Sequence, residues 1–170
     1  MEQKAAVYFD FWKTMVSWVN IYLDKIEDDC LYTALRPGGN HGVWLLGHLI
    51  ICEDDLSEYL GKGPMLFPEY QPMFDQNRKV LPVEKYPSIS VLRKNWQQVC
   101  EKNKVIYSQL KDDELALPHK KVEGDIEDNY FKTVEGCLKN WILHQIHHTG
   151  QLAALSAKYK KEKMVKNTTA

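Results

Sequence analysis

Four stretches of this chain repeat apolar residues every three to four positions, and nothing between them alternates as a strand would. The first runs from Gln3 to Ile26, with Phe9, Trp12, Val16, Val19, Tyr22, Leu23 and Ile26 along one side. The second, Asn40 to Leu60, is entered through Pro37-Gly38-Gly39-Asn40 and left through Gly61-Lys62-Gly63-Pro64. Asn40 reads as an N-cap and the glycine-proline cluster as a stop. The third, Ser88 to Leu110, carries Leu92, Trp96, Val99, Asn103, Ile106 and Leu110 in one stripe. The fourth, Thr133 to Lys160, takes Thr133 as its cap.

These stretches predict an all-α protein, most simply a four-helix bundle, over residues 1–160. Residues 161–170, lysine-rich and then polar, read as a disordered tail. Between the second and third stretches lie Pro64, Pro68, Pro72, Pro82 and Pro87, which argue against regular structure there. At about 3.3 Å per residue that connection could cross a ~30 Å bundle more than once. The third helix therefore need not be the antiparallel neighbour of the second. Residues 111–132 are acidic and read as irregular.

Composition narrows the class. A chain of 170 residues, 44% hydrophobic, fits one domain able to build a core without disulfide or metal staples. With 22 Lys+Arg against 23 Asp+Glu, no strong field exists to grip nucleic acid or anionic lipid, so neither is an expected partner. No window approaches 18 uninterrupted apolar residues, so no membrane span is expected. Met1 to Asp10 lacks the basic-then-apolar pattern of a signal peptide. Cys30, Cys52, Cys100 and Cys137 form no CxxC pair and read as free thiols of a reducing compartment. The expected location is cytoplasmic, where the sequon at Asn167 would carry no meaning.

The six histidines need a closer account. Projected at 100° per residue, the fourth helix places Val134, Cys137, Trp141, His144, His148, Leu152, Leu155 and Tyr159 on one face, with Glu135 and Lys139 opposite. His144 and His148 stack one turn apart in mid-stripe. The second helix places Trp44, Leu45, His48, Leu49, Cys52, Leu56 and Tyr59 inward, with Glu53, Asp54 and Ser57 pointing away. His48 lies about 12 Å from the start of its helix, and His148 and His144 roughly 16 and 22 Å from the end of theirs. If the two helices are antiparallel and level, the three imidazoles meet.

A buried neutral histidine needs partners for both ring nitrogens. A divalent ion would satisfy three such rings together, and three histidines with open positions form a catalytic type of coordination set. A core histidine satisfied by its neighbours is the plain alternative. Cys52, one turn after His48, is either a fourth ligand or a small buried apolar residue. Asp55 leans inward as a base, an orienting group or a rim residue. Gln151 is a candidate hydrogen-bonding group, and together with Asp55 makes the candidate catalytic pair. Trp44 and Trp141 read as pocket walls or core. His147 sits at the edge of the stripe, His41 at the mouth of the second helix, and His119 in a surface loop. No Glu precedes a His by three residues, as a di-iron bundle requires, and HExxH, P-loop, GxSxG and EF-hand patterns are missing. A bis-His haem remains geometrically open.

Asn40-His41-Gly42-Val43-Trp44-Leu45-Leu46-Gly47-His48-Leu49 resembles the second-helix signature of the DinB/YfiT-like superfamily. Trp141-Ile142-Leu143-His144-Gln145-Ile146-His147-His148-Thr149-Gly150-Gln151-Leu152 resembles its fourth-helix signature, and order and spacing match along nearly the whole chain. The resemblance implies an up-down-down-up bundle with a long crossover between helices 2 and 3. It implies a divalent metal, nickel or zinc in different members, on residues matching His48, His144 and His148, and frequent homodimers. Characterised relatives include S-transferases and isomerases that use low-molecular-weight thiols such as bacillithiol or mycothiol. The expectation is therefore an enzyme transferring such a thiol to a small electrophilic substrate. A metal-dependent hydrolase and a non-catalytic, stress-related metal-binding bundle are the competing expectations.

Overall fold

A computed structural model describes residues 3–75, 80–121 and 132–168. Its helices are α1 (Lys4–Lys25), α2 (Asp28–Leu31), α3 (Gly42–Tyr59), α4 (Gln71–Phe74), α5 (Ile89–Ser108) and α6 (Val134–Thr168). No strand occurs among the described residues, so the fold is all-helical, as the periodicity requires. The four long helices match the four apolar stretches, while α2 and α4 are too short to leave a periodic signal.

Local chemistry sets the ends. Ser88 Oγ accepts from Val91 N–H at 3.4 Å to start α5, and Thr133 Oγ1 accepts from Gly136 N–H at 3.1 Å to start α6. The cap of α3 is His41 rather than Asn40: its Nδ1 accepts from Trp44 N–H at 3.0 Å. Gly61, at φ +65°, takes the left-handed conformation that ends α3. The proline-rich connection is more ordered than five prolines suggest. Pro68 and Pro72 sit at the first positions of short helical turns, where a missing N–H costs nothing. At the far end, α6 runs on to Thr168, past the expected stop near Lys160. Lys163 Nζ donates to Glu27 Oε2 at 2.6 Å there, and residues 160–168 contain no helix breaker.

The α5 stripe is buried as read from the sequence, from Leu92 to Leu110. Trp12, Trp44, Trp96 and Trp141 are all buried, one on each long helix, while Trp18 is exposed. Tyr22, expected inward, is exposed; the buried positions of α1 are Ala5, Trp12, Met15, Val19 and Leu23. On α6 the buried surface is wider than one stripe. Leu138, Ile142, Gln145 and Thr149 are inside as well, because α6 packs on both α1 and α3.

The largest departure is α3. Glu53, Asp54 and Ser57, expected to face outward, are fully buried. Helix α3 is covered by α5, α6 and the connection after Gly61, so it has no solvent face to offer them. Asp54 accepts from the Leu66 and Phe67 N–H groups at 3.0 and 2.8 Å, and Lys102 of α5 pairs with it. This carboxylate ties the connection and α5 to α3.

Side-chain contacts between the long helices give their relative directions. Tyr8 donates to Glu135 near the starts of α1 and α6, and Lys163 meets Glu27 near their ends, so these helices run the same way. Arg93 donates to the Leu23 carbonyl at 2.6 Å, while Tyr107 stacks on Trp12 at 5.1 Å; α5 runs against α1. His48 meets His144, and Trp141 donates to the Cys52 carbonyl; α3 runs against α6.

Candidate metal centre

The antiparallel packing of α3 and α6 brings His48, His144 and His148 together. One ring nitrogen from each lies within 4.8 Å of the others. His144 Nε2 is the middle atom, 3.3 Å from His48 Nε2 and 3.1 Å from His148 Nε2. The far nitrogens of two rings are already committed. His48 Nδ1 donates to the Phe74 carbonyl at 2.7 Å, and His148 Nδ1 donates to Gln151 Oε1 at 2.8 Å. Those bonds place the ring protons on Nδ1 and leave the two Nε2 lone pairs aimed at the cluster. Three convergent imidazole nitrogens, two held as acceptors by outer hydrogen bonds, are a fitting donor set for a divalent ion.

The electrostatics agree. Burial lowers the pKa of His144 to about 3, helped by repulsion from His148 and His48. Burial lowers that of His148 to about 4, and that of His48 falls for the same first reason. All three rings are neutral at pH 7, so a metal would not compete with protons for them.

Gln151 continues the chain outward, its Nε2 donating to His147 Nε2 at 3.2 Å. His147 is exposed and meets the cluster through Gln151 and by edge contact with the His148 ring at 5.1 Å. Trp44 stacks on His48 at 4.6 Å, and its buried indole N–H has no hydrogen-bond partner among the described residues. Cys52 Sγ lies 3.7 Å from His48 Nε2 but is not one of the clustered donors. Burial, with Asp55, Glu53 and Asp75 adding repulsion, pushes its thiol far above the usual range. Trp141 packs against Tyr59 at 4.8 Å.

Other candidates lie elsewhere. His41 is a helix cap whose Nε2 faces the Leu81 carbonyl at 3.4 Å. Asp55 pairs with Lys121 at 2.5 Å. His119 is half-buried against Tyr59 rather than a free surface group. Sequence reasoning missed the Phe74 carbonyl, which carries no residue-type signal. It also missed Asp75, whose charge acts on both His48 and Cys52.

The family profile of the DinB superfamily matches residues 18–152. The chain belongs to the DinB superfamily. A crystal structure of a conserved protein from Enterococcus faecalis has a similar fold, with TM-score 0.69 and 14% identity over 92% of this chain and 96% of that one. No curated protein matches the chain. Among the described residues of this DinB-superfamily chain, no helix is long and apolar enough to cross a membrane.

Proposed function

We propose that this DinB-superfamily protein is a divalent-metal enzyme that transfers a low-molecular-weight thiol to a small electrophile. The observation carrying this reading is the convergence of three imidazole nitrogens, a set that fills only part of the coordination shell of a divalent ion and leaves positions for further ligands. Nickel and zinc both suit such a nitrogen donor set. A bound divalent ion supplies Lewis acidity that activates a thiol or water at neutral pH. Around it, His48, His144 and His148 hold the ion, and Gln151 orients His148. Trp44 and Cys52 stand against His48. Asp55, paired with Lys121, is assigned to proton handling from the rim. The helix directions support an up-down-down-up bundle, and the buried thiols Cys30, Cys100 and Cys137 suit a cytoplasmic location.

The test is thiol conjugation by the nickel- or zinc-loaded protein across a panel of thiols and electrophiles. Turnover is expected with at least one pair and is expected to vanish in His148→Ala. Equal rates in that variant would remove the metal from the chemistry. Hydrolysis in place of conjugation would favour the hydrolase reading, and tight metal binding without any turnover the non-catalytic one.

A second copy of the chain is the proposed partner for the outer face of α1 and α6. Phe11 and Trp18 are 60% and 54% exposed, and Leu143 and Ile146 on the neighbouring helix 67% and 40%. An aromatic side chain buries roughly 150–250 Å², so this face is a substantial part of the ~800 Å² per partner in a stable interface. Sedimentation is expected to give a dimer, and Phe11→Glu/Trp18→Glu a monomer. A monomeric wild type at tens of micromolar would end the idea.

A further inference from the structure

Phe74 touches the metal centre in two ways, and both depend on a missing side chain. Its carbonyl takes the His48 Nδ1 proton at 2.7 Å. It is available because α4 ends at Phe74, which leaves the last carbonyls of that helix without helical partners. Its ring is fully buried and rests on α3 at Gly47, the residue before His48. A Cβ placed on Gly47 would come within 2.1 Å of Phe74 Cε1 and 2.3 Å of two further ring carbons. The ring has little room to retreat, since Tyr86 stacks on it at 5.0 Å and Tyr70 meets it edge-on at 5.5 Å.

A glycine in mid-helix is otherwise unfavourable, because alanine there lowers the backbone entropy lost on folding. Position 47 therefore carries a local cost that the Phe74 contact explains. We infer that Gly47 and Phe74 together position His48: the slot at Gly47 seats the ring, and the seated ring delivers the carbonyl that fixes His48 with its proton on Nδ1 and its Nε2 lone pair toward His144 and His148. The crossover between α3 and α5 is thus part of the metal centre, as a positioning element that touches no ion. This inference rests on the metal-binding reading for its consequence but not for its geometry.

The experiment has two readouts. Long-range proton–nitrogen NMR of the metal-free, 15N-labelled protein reports the His48 tautomer directly. Competition titration with Zn²⁺ reports affinity. Wild type is expected to show the Nδ1–H tautomer, and Gly47→Ala a mixed population with Zn²⁺ bound 10–100-fold more weakly, the range for loss of an outer hydrogen bond to a ligand histidine. Phe74→Ala is expected to behave likewise and carries the test if Gly47→Ala does not fold. Val19→Ala, a core truncation on α1, is expected to lower the melting temperature while leaving tautomer and affinity unchanged. A folded Gly47→Ala or Phe74→Ala that keeps the Nδ1–H tautomer and wild-type affinity would overturn the inference. A wild type that binds no Zn²⁺ but shows the tautomer shift in the variants would remove the proposed function and leave the positioning device standing.

Discussion

His144→Ala is expected to abolish stoichiometric divalent-metal binding without unfolding the protein. His144 Nε2 is the atom that both other ring nitrogens face, at 3.3 and 3.1 Å, so its loss leaves two donors with no third between them. The drop in affinity should exceed the 10–100-fold typical of an outer-shell loss. The metal-free fold should tolerate the change. His144 is only half-buried, and with its pKa lowered to about 3 its ring is neutral at pH 7, so the substitution removes no charge. The clearest readout is thermal. An ion at 100 times its dissociation constant stabilises a folded protein by about 2.7 kcal/mol, or roughly 5–10 °C for a domain of this size. Wild type should show that shift on adding Zn²⁺ or Ni²⁺, and His144→Ala none. An unchanged shift, or one ion per chain by elemental analysis of the variant, would sink the three-histidine centre.

How far the sequence carries depends on where each residue finds its partner. The α5 stripe could be read because α5 keeps a solvent face, so polar and apolar positions separate at helical spacing. The three clustered histidines could be read because two share one turn of α6 and the third sits mid-stripe on α3. Helix α3 defeats the same logic. It is covered all round, and a carboxylate inside it is stable only through groups far away in sequence: Trp12, Lys102 and Gln145. No local pattern encodes those distances. Its spacing from His48 puts His41 at the mouth of the second helix. Its real partner is a main-chain N–H three residues on, an interaction that histidine shares with ordinary capping residues. The Phe74 carbonyl is invisible for a related reason, since every residue carries one.

Glu53 offers the second large effect, and it concerns stability. Its side chain is fully buried, and through its carboxylate and its main-chain carbonyl the residue joins all four long helices. Trp12 Nε1 of α1 donates to Oε1, Gln145 Nε2 of α6 donates to Oε2 at 2.8 Å, and Asn103 Nδ2 of α5 donates to the Glu53 carbonyl at 2.6 Å. Glu53→Ala strands two buried donors at about 1–3 kcal/mol each, so a loss of roughly 2–6 kcal/mol is expected. That is a large part of the ~5–15 kcal/mol that holds a domain together. The charge itself works in the opposite direction. Burial raises the Glu53 pKa above its usual 4.5, against the hydrogen bonds from Trp12, Gln145 and Asn103 and the charge of Lys102. The folded chain therefore keeps this proton at pH values where the unfolded chain has released it. The Glu53 contribution to stability is greatest below about pH 4.5, falls as pH rises toward the raised folded-state value, and is constant beyond it. Glu53→Gln keeps the shape but cannot titrate, so it should lack this decline. Urea midpoints of both proteins across that range would decide the matter: their difference must change with pH, and a constant difference would show that Glu53 keeps the same charge folded and unfolded.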